Sequence, residues 1–278
     1  MSIILAIESS TELASVALYL GAAGSNPQPR LASRQVSGVQ AHSLTILPMV
    51  QALLAEAGIG LRQCDAIAFG AGPGSFTGVR TACGIAQGLA YGTDRPVLMV
   101  DTLMAMALAC RNDGAAAEVQ PALDARMGEL YWARYRWAAA DAAATDADGL
   151  PEIVVAPRLA LPANVDLDPH IKRCGNGYTA HGNHFATVLA SADFYAAIMP
   201  HALLVARLGA ALLARGVAVA AREARPFYLR NNVALTTAER LERVDLNPTT
   251  ASAAHADVGK HEDAGVLTAP DTAPAATS

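Results

Sequence analysis

The sequence predicts an α/β protein with two lobes, and three observations lead to this fold class. The chain has 278 residues, which exceeds the size at which a single core usually keeps growing. Hydrophobic residues make up 53% of it and charged residues only 16%, as expected for a large, well-filled core. Short β-rich runs alternate with apolar segments of helical length, which is the pattern of mixed sheets flanked by helices.

The first lobe is predicted over residues 1–113, where three strands precede alternating helices and strands. The strands lie at 2–10, 14–20, 31–36, 64–70 and 96–101, and the helices at 43–58, 76–91 and about 102–111. Gly58 ends the first helix. Pro48 fits in the first turn of that helix if Thr45 is its cap, and otherwise kinks it. This order of elements is that of one lobe of the actin-like, ribonuclease-H-like fold.

The second lobe is predicted over residues 114–234 and is less regular. Its expected strands lie at 118–125, 129–138 and 171–177, and its expected helices at 157–161, 178–191 and 202–216. Residues 138–150 are a loose Ala/Asp stretch, and 225–234 close the lobe. From residue 235 onward large apolar side chains nearly vanish, so 235–278 are expected to be a disordered tail.

Composition excludes several classes of protein. A formal charge of −5 argues against nucleic-acid binding driven by charge alone, which needs clustered Lys and Arg. The four cysteines are scattered without a C-x-x-C pair, which fits reduced thiols in the cytosol. We find no basic leader and no run of eighteen apolar residues, so we expect neither a signal peptide nor a membrane span. The chain is predicted to be cytoplasmic.

The stretch 70-GAGPGSFTGVRTACGIAQGLAYG-92 holds seven of the 22 glycines. It follows a predicted strand and continues into a predicted helix, where a glycine-rich turn usually holds a phosphate. No lysine stands where a phosphate-binding loop would place one. The stretch therefore needs another explanation.

Four collinear stretches resemble the bacterial TsaB family, also called YeaZ, which is glycoprotease-like and related to TsaD. They are 5-LAIESSTELASVAL-18, 69-FGAGPGSFTGVRTACGIAQGLA-90, 124-DARMGELYWA-133 and 226-PFYLRN-231. The resemblance implies the two-lobed actin-like fold. It also implies a non-catalytic subunit that binds and activates TsaD, which transfers a threonylcarbamoyl group to an adenosine of tRNA. TsaE, an ATPase, joins the pair; the chain alone forms a homodimer and touches tRNA only indirectly.

The resemblance further implies that the catalytic site of TsaD is lost here. TsaD binds its metal through two histidines four residues apart, and Thr102 and Met106 stand at those positions. A hydroxyl and a thioether are poor ligands for such an ion. We therefore expect no metal, no catalytic residue and no cofactor, with ATP or ADP at the complex interface left open. The residues that could touch such a nucleotide are Ser9, Ser10, Gly175 and Gly177, although tight turns explain them at least as well.

A partner-binding face is predicted on the helices at 43–58 and 76–91. One side of the second helix carries almost no bulky side chains, and Gly84 and Gly88 lie four residues apart on it. Interior helical glycines cost about 1 kcal/mol each relative to alanine, which close approach of another helix would offset. The residues assigned to this face are Leu47, Val50, Leu54, Thr77, Arg80, Thr81, Gly84, Gln87 and Gly88. The alternative is that the two helices only cover each other.

A rival function is an autonomous actin-like ATPase or kinase, or a peptidase-like enzyme. Glu8, Glu12 and Asp124 are available by type as Mg²⁺ ligands. No H-E-x-x-H sequence or nucleophile elbow supports a peptidase. His181 and His184 could share a helix face as metal ligands, but solvated surface histidines explain them better.

Overall fold

The computed structural model describes residues 2–22, 28–38, 42–112, 118–137 and 150–230. The predicted tail at 235–278 and most of the predicted loose stretch lie outside these segments. Among the described helices, none is both long and apolar enough to cross a membrane.

The first sheet has the strand order β3-β2-β1-β4-β5. Its strands are β1 (Ile3–Glu8), β2 (Leu13–Leu20), β3 (Arg30–Ser37), β4 (Ala66–Gly72) and β5 (Val97–Asp101). The first three strands run antiparallel to one another, whereas β4 pairs in parallel with β1 and β5. The central strands are almost entirely apolar because both faces of the sheet are covered, while the polar strand β3 forms an exposed edge.

The helices α1 (His42–Ala57) and α2 (Phe76–Thr93) cover one face of the first sheet. Because α1 begins at His42, Pro48 lies inside the helix rather than in its first turn. Gly58 ends α1 with φ +67°, as predicted, and the amide of Ile59 donates to the carbonyl of Leu54. Ser75 caps α2, where its side chain accepts a hydrogen bond from the amide of Gly78.

The second sheet repeats the order of the first, as β10-β9-β6-β7-β8. Its strands are β6 (Glu118–Arg126), β7 (Glu129–Arg136), β8 (Glu152–Ala160), β9 (Lys172–Cys174) and β10 (Phe194–Tyr195). Each sheet has an antiparallel meander of three strands followed by two parallel strands. This repetition confirms the actin-like, ribonuclease-H-like fold class.

Two predicted helices of the second lobe are wrong. Residues 157–161 lie largely in the edge strand β8, whose β-branched residues at 153–155 favour a strand. Pro157 is tolerated there because an edge strand leaves some of its amides unpaired. The helix predicted at 178–191 is two short helices, α4 (Asn176–Ala180) and α5 (Ala186–Leu189). The intervening 181-HGNH-184 is a poor helix former, and Phe185 turns into the core against Tyr178.

Of the remaining helices, α6 (Ala202–Ala214) lies on the other face of the first sheet. Helix α3 (Thr102–Asn112) follows β5 and packs mainly against β6, β7 and β9 of the second sheet. The α6 segment is predicted to belong to the second lobe because of its position in the chain. In the structure α6 packs on the first sheet instead. A Cβ added at Gly209 would lie 3.1 Å from the Cβ of Ala68 and 3.4 Å from Ile4. An apolar helix carries no sequence signal that says which sheet it covers.

Candidate functional site

The glycine-rich turn between β4 and α2 packs directly on the turn that joins β1 to β2. A Cβ added at Gly70 would collide with the carboxylate of Glu8, and one at Gly78 would collide with the carbonyl oxygen of Ser9. A Cβ at Gly74 would lie 2.6 Å from the carbonyl oxygen of Ser10. These glycines therefore allow two turns of the same lobe to approach each other.

The side chain of Glu8 lies between these two turns. Its side chain is fully buried, and its Oε1 accepts a hydrogen bond of 2.6 Å from the amide of Ser10. Its Oε2 has no hydrogen-bond partner among the described residues. Burial raises the pKa of Glu8, because a charged carboxylate loses its hydration there. The chain's own carboxyl group thus takes a backbone donor that an anion would need.

The two serines predicted to touch a nucleotide are buried in the same turn. Ser9 Oγ donates to the carbonyl of Gly78 at 2.9 Å. Ser10 is also buried, and its backbone carbonyl accepts from the amide of Ser75 at 2.7 Å. Both residues join the two turns and are shielded from solvent.

The two other predicted nucleotide contacts, Gly175 and Gly177, pack against β6. Gly175 has φ +100°, and a Cβ there would collide with the carbonyl oxygen of Ala122. A Cβ at Gly177 would lie 2.9 Å from the carbonyl carbon of Ala122. Their small size lets the start of α4 sit on the strand, and both are buried.

Thr102 and Met106, which the resemblance aligns with the TsaD histidines, are fully buried. Thr102 Oγ1 accepts a hydrogen bond of 3.1 Å from the amide of Gly72. The side chain of Met106 fills the space beside Gly175. Within the described segments no three His, Cys, Asp or Glu side chains cluster as metal ligands would.

Asp101 connects the two sheets next to these residues. Its Oδ1 accepts from the amide of Leu103 at 2.9 Å, which caps α3, and its Oδ2 accepts from the hydroxyl of Tyr135 on β7. Burial raises the pKa of Asp101 to about 6, although these hydrogen bonds favour the charged form. The carboxyl group acts as a structural link between β5 and β7.

Two of the three acids weighed as Mg²⁺ ligands meet at one arginine. Arg126 lies 3.5 Å from Glu12 and 3.4 Å from Asp124, whereas Glu8 is buried in its own turn. His181 approaches the carbonyl of Glu129 at 3.2 Å and the carboxylate of Asp124 at 3.9 Å. Arg126 thus occupies the space between Glu12 and Asp124, and in the described segments Glu8 does not join them in a ligand cluster.

The outer surface of α1 and α2 exposes several of the residues assigned to the partner face. A Cβ added at Gly84 or Gly88 would meet nothing within 4 Å, so both glycines face open space. Leu47 is exposed, and Thr77 is exposed while Thr81 is half-buried.

Two residues assigned to this face are buried instead, and two exposed apolar residues of the same helices were not assigned to it. Val50 and Leu54 are buried against the first sheet because they lie on the inner stripe of α1. Leu44, 76% exposed, and Tyr91, 83% exposed, were not predicted. Helical spacing from Leu47 and from Gly84 could have pointed to them.

Residues 224–230 form what we call the strap, which crosses α2 and reaches the second sheet. Gln87 Nε2 donates to the carbonyl of Ala224 at 3.0 Å, and Arg80 Nε donates to the hydroxyl of Tyr228 at 2.8 Å. The amide of Phe227 donates to Ala71, and Arg230 pairs with Glu129 on β7 at 2.7 Å. Arg80 and Gln87, assigned to the partner face, therefore also hold this segment.

Comparisons with known proteins agree with the resemblance drawn from the motifs. Residues 28–239 match the family described as TsaD: tRNA N6-adenosine threonylcarbamoyltransferase. The tRNA threonylcarbamoyladenosine biosynthesis protein TsaB of Escherichia coli is 38% identical over 239 residues, covering 83% of this chain and 96% of the relative. TsaB of Haemophilus influenzae is 36% identical, with coverages of 83% and 94%.

Solved structures give the same result. The structure titled "YeaZ from Pseudomonas aeruginosa" superposes with a TM-score of 0.69 at 35% identity and covers 82% of this chain and 100% of its own. A second Pseudomonas aeruginosa structure has the same score and identity, and its title describes an uncharacterized protein with similarity to peptidase YEAZ.

Proposed function

This chain belongs to the TsaB family of tRNA threonylcarbamoyladenosine biosynthesis proteins, and from that premise we propose that it is the non-catalytic subunit that binds and activates TsaD. TsaD carries out the transfer of a threonylcarbamoyl group to an adenosine of tRNA, and TsaE joins the pair. The protein works in the cytoplasm and forms a homodimer when TsaD is absent.

The observation that carries this proposal is the open glycine face of α2. Gly84 and Gly88 stand in the middle of an 18-residue helix, and nothing within 4 Å would hinder a side chain there. Glycine destabilises a helix interior by about 1 kcal/mol relative to alanine, so glycine at these two positions does not stabilise the isolated lobe. Because these glycines have no side chains, the backbone of a second helix could approach α2 closely and bury more surface against it.

The interior of the lobe supports the non-catalytic part of the proposal. The backbone donor of Ser10 already serves the carboxylate of Glu8. Thr102 and Met106 are packed without solvent contact. A phosphate that bound at the amide of Ser10 would have to displace the buried carboxyl group of Glu8, and a divalent ion would find no cluster of suitable side chains in the described segments.

The direct test is reconstitution of tRNA modification with purified TsaD, TsaE and unmodified tRNA. We expect threonylcarbamoyl transfer to require this chain, and this chain alone to turn over no nucleotide. Transfer at the full rate without it would refute the activating role. Nucleotide hydrolysis by the chain alone that is abolished in Asp124→Asn would support the autonomous ATPase instead.

A further inference from the structure

A compact group of rings and cations lies where the strap crosses the start of α2. The guanidinium carbon of Arg80 lies 3.5 Å from the centre of the Phe76 ring and 5.4 Å from that of Tyr228. The two ring centres are 6.0 Å apart, and the Tyr228 hydroxyl accepts from Arg80 Nε at 2.8 Å. These contacts fix the rings in place, so the group is organised without any ligand. We call it, together with Arg225 and Phe227, the aromatic–arginine patch.

The rings of this patch remain accessible to solvent. Phe76 and Phe227 are each 39% exposed, and Tyr228 is 47% exposed. Phe76 and Tyr228 are in ring contact with each other, and Phe227 precedes Tyr228 in the strap, so each of the three rings keeps an exposed part. A planar ligand that stacks on them would remove their apolar faces from water, which favours binding.

The charge of the patch is positive in a protein whose formal charge is −5. Within the described segments, some arginines, such as Arg34 and Arg136, have a carboxylate within ion-pair distance. Like Arg62 and Arg158, the two patch arginines have none in the same part of the chain, and Arg80 and Arg225 are both exposed. Their terminal nitrogens can therefore donate to an anion without breaking an existing ion pair.

We propose that the aromatic–arginine patch binds a single-stranded segment of RNA. Bases stack on Tyr228 and Phe227, the phosphate between them accepts hydrogen bonds from Arg225, and Arg80 holds the Tyr228 ring in place. Exposed rings interleaved with arginines are the chemistry by which proteins hold unpaired nucleotides. The proposal depends on the proposed function only for the identity of the RNA, which would be a transfer RNA. It replaces the expectation that this chain contacts tRNA only indirectly.

The test compares two patch variants with two matched controls. Phe227→Leu/Tyr228→Leu removes the stacking rings, and Arg225→Glu reverses one charge. Tyr91→Leu removes an exposed ring near the far end of α2, and Arg158→Glu reverses an exposed arginine that lies over Trp132 on the second sheet. Fluorescence anisotropy with a labelled oligouridylate and with unmodified tRNA gives the affinity of each protein at several salt concentrations.

We expect the ring variant to bind both RNAs at least about fivefold more weakly, because stacking on an aromatic side chain is worth that much or more per base. Arg225→Glu should weaken binding and lower the slope of log K against log salt by about 0.7 for each phosphate that the variant no longer neutralises. Both controls should bind as the wild type does. Melting curves of all four variants establish that each is folded.

Sedimentation with TsaD separates this proposal from the proposed function. Patch variants that fail to bind RNA and still associate with TsaD support the patch as an RNA site. Equal RNA binding by the patch variants and the wild type, or no RNA binding by the wild type, overturns it. Loss of TsaD association with unchanged RNA binding would also overturn it, because the patch would then contact protein. Failure of the wild-type chain to bind TsaD would refute the proposed function alone.

Discussion

Substituting leucine at Gly84 or Gly88 separates the fold of this chain from its association. Each change places a branched side chain on the outer surface of α2, at a position where a Cβ meets nothing within 4 Å. The isolated lobe therefore has room for the new side chain. A helix docked against the glycines does not, because the leucine would hold the two backbones apart.

Each leucine substitution is expected to stabilise the monomer and to weaken its association. Replacing an interior helical glycine by leucine should stabilise the monomer by about 0.5–1 kcal/mol. In a domain of this size that raises the melting temperature by about 1–4 °C. Forcing a large side chain into a close-packed contact costs about 1–3 kcal/mol, which corresponds to roughly 5- to 150-fold weaker association. The double variant should not associate measurably.

The assay is sedimentation of each variant, alone and with TsaD, alongside a thermal melt and the tRNA modification assay. Gly84→Ala adds only a methyl group and should keep association while raising the melting temperature. Ala214→Leu is the matched control on α6, where an exposed alanine on the opposite face of the first sheet becomes leucine. It should change neither association nor modification.

Normal association and modification by the variant carrying both leucines would refute the reasoning. The glycines would then not line the contact, and the open face of α2 would have another use. A lower melting temperature would refute it in a different way, since it would mean that the added side chains do not point into open space.

Three further predictions concern the interior of the protein. Gly78→Ala should destabilise the chain by about 1–3 kcal/mol, because its Cβ meets the carbonyl of Ser9 and one backbone must move; urea unfolding measures this, and a neutral result would contradict the packing. Between pH about 3.8 and about 6 the folded protein binds more protons at Asp101 than the unfolded chain does. The contribution of Asp101 to the free energy of unfolding therefore falls as pH rises through this window, by up to about 3 kcal/mol. Unfolding in urea at several pH values should show that Asp101→Asn removes this part of the pH dependence. Elemental analysis of the purified protein should find no stoichiometric transition metal, since Thr102 and Met106 offer poor ligands, and one tightly held zinc or iron per chain would reopen an enzymatic role.

The sequence predicted most of the first lobe because each of its elements has a strong local signal. Alternation and apolar runs located β1 to β5, and Gly58 fixed the end of α1. The second lobe was harder, since its short elements depend on partners distant in the chain. The end of edge strand β8, from residue 157, was predicted as a helix, and α6 follows the second lobe in sequence yet covers the first sheet.

The predicted site was less accurate than the fold for a related physical reason. Helical spacing identifies which residues share a face, but it does not say which of two apolar faces is covered by the chain itself. Val50 and Leu54 are as apolar as Leu47, and only packing on the first sheet separates them. The strap could not be foreseen either, because its hydrogen bonds join residues more than a hundred positions apart in sequence.

The glycine-rich turn has the same local sequence character whether it encloses a phosphate or another part of the chain. In both cases glycine is needed because a second group comes within contact distance of the backbone. What distinguishes the two cases is the chemistry of that second group. Here the approaching turn brings the carboxyl group of Glu8, which accepts a hydrogen bond from the amide of Ser10 and lies where a Cβ of Gly70 would be. The glycines at 70, 74 and 78 thus serve contacts within the chain, whereas Gly84 and Gly88 of the same stretch face open space on α2, where a second helix could approach.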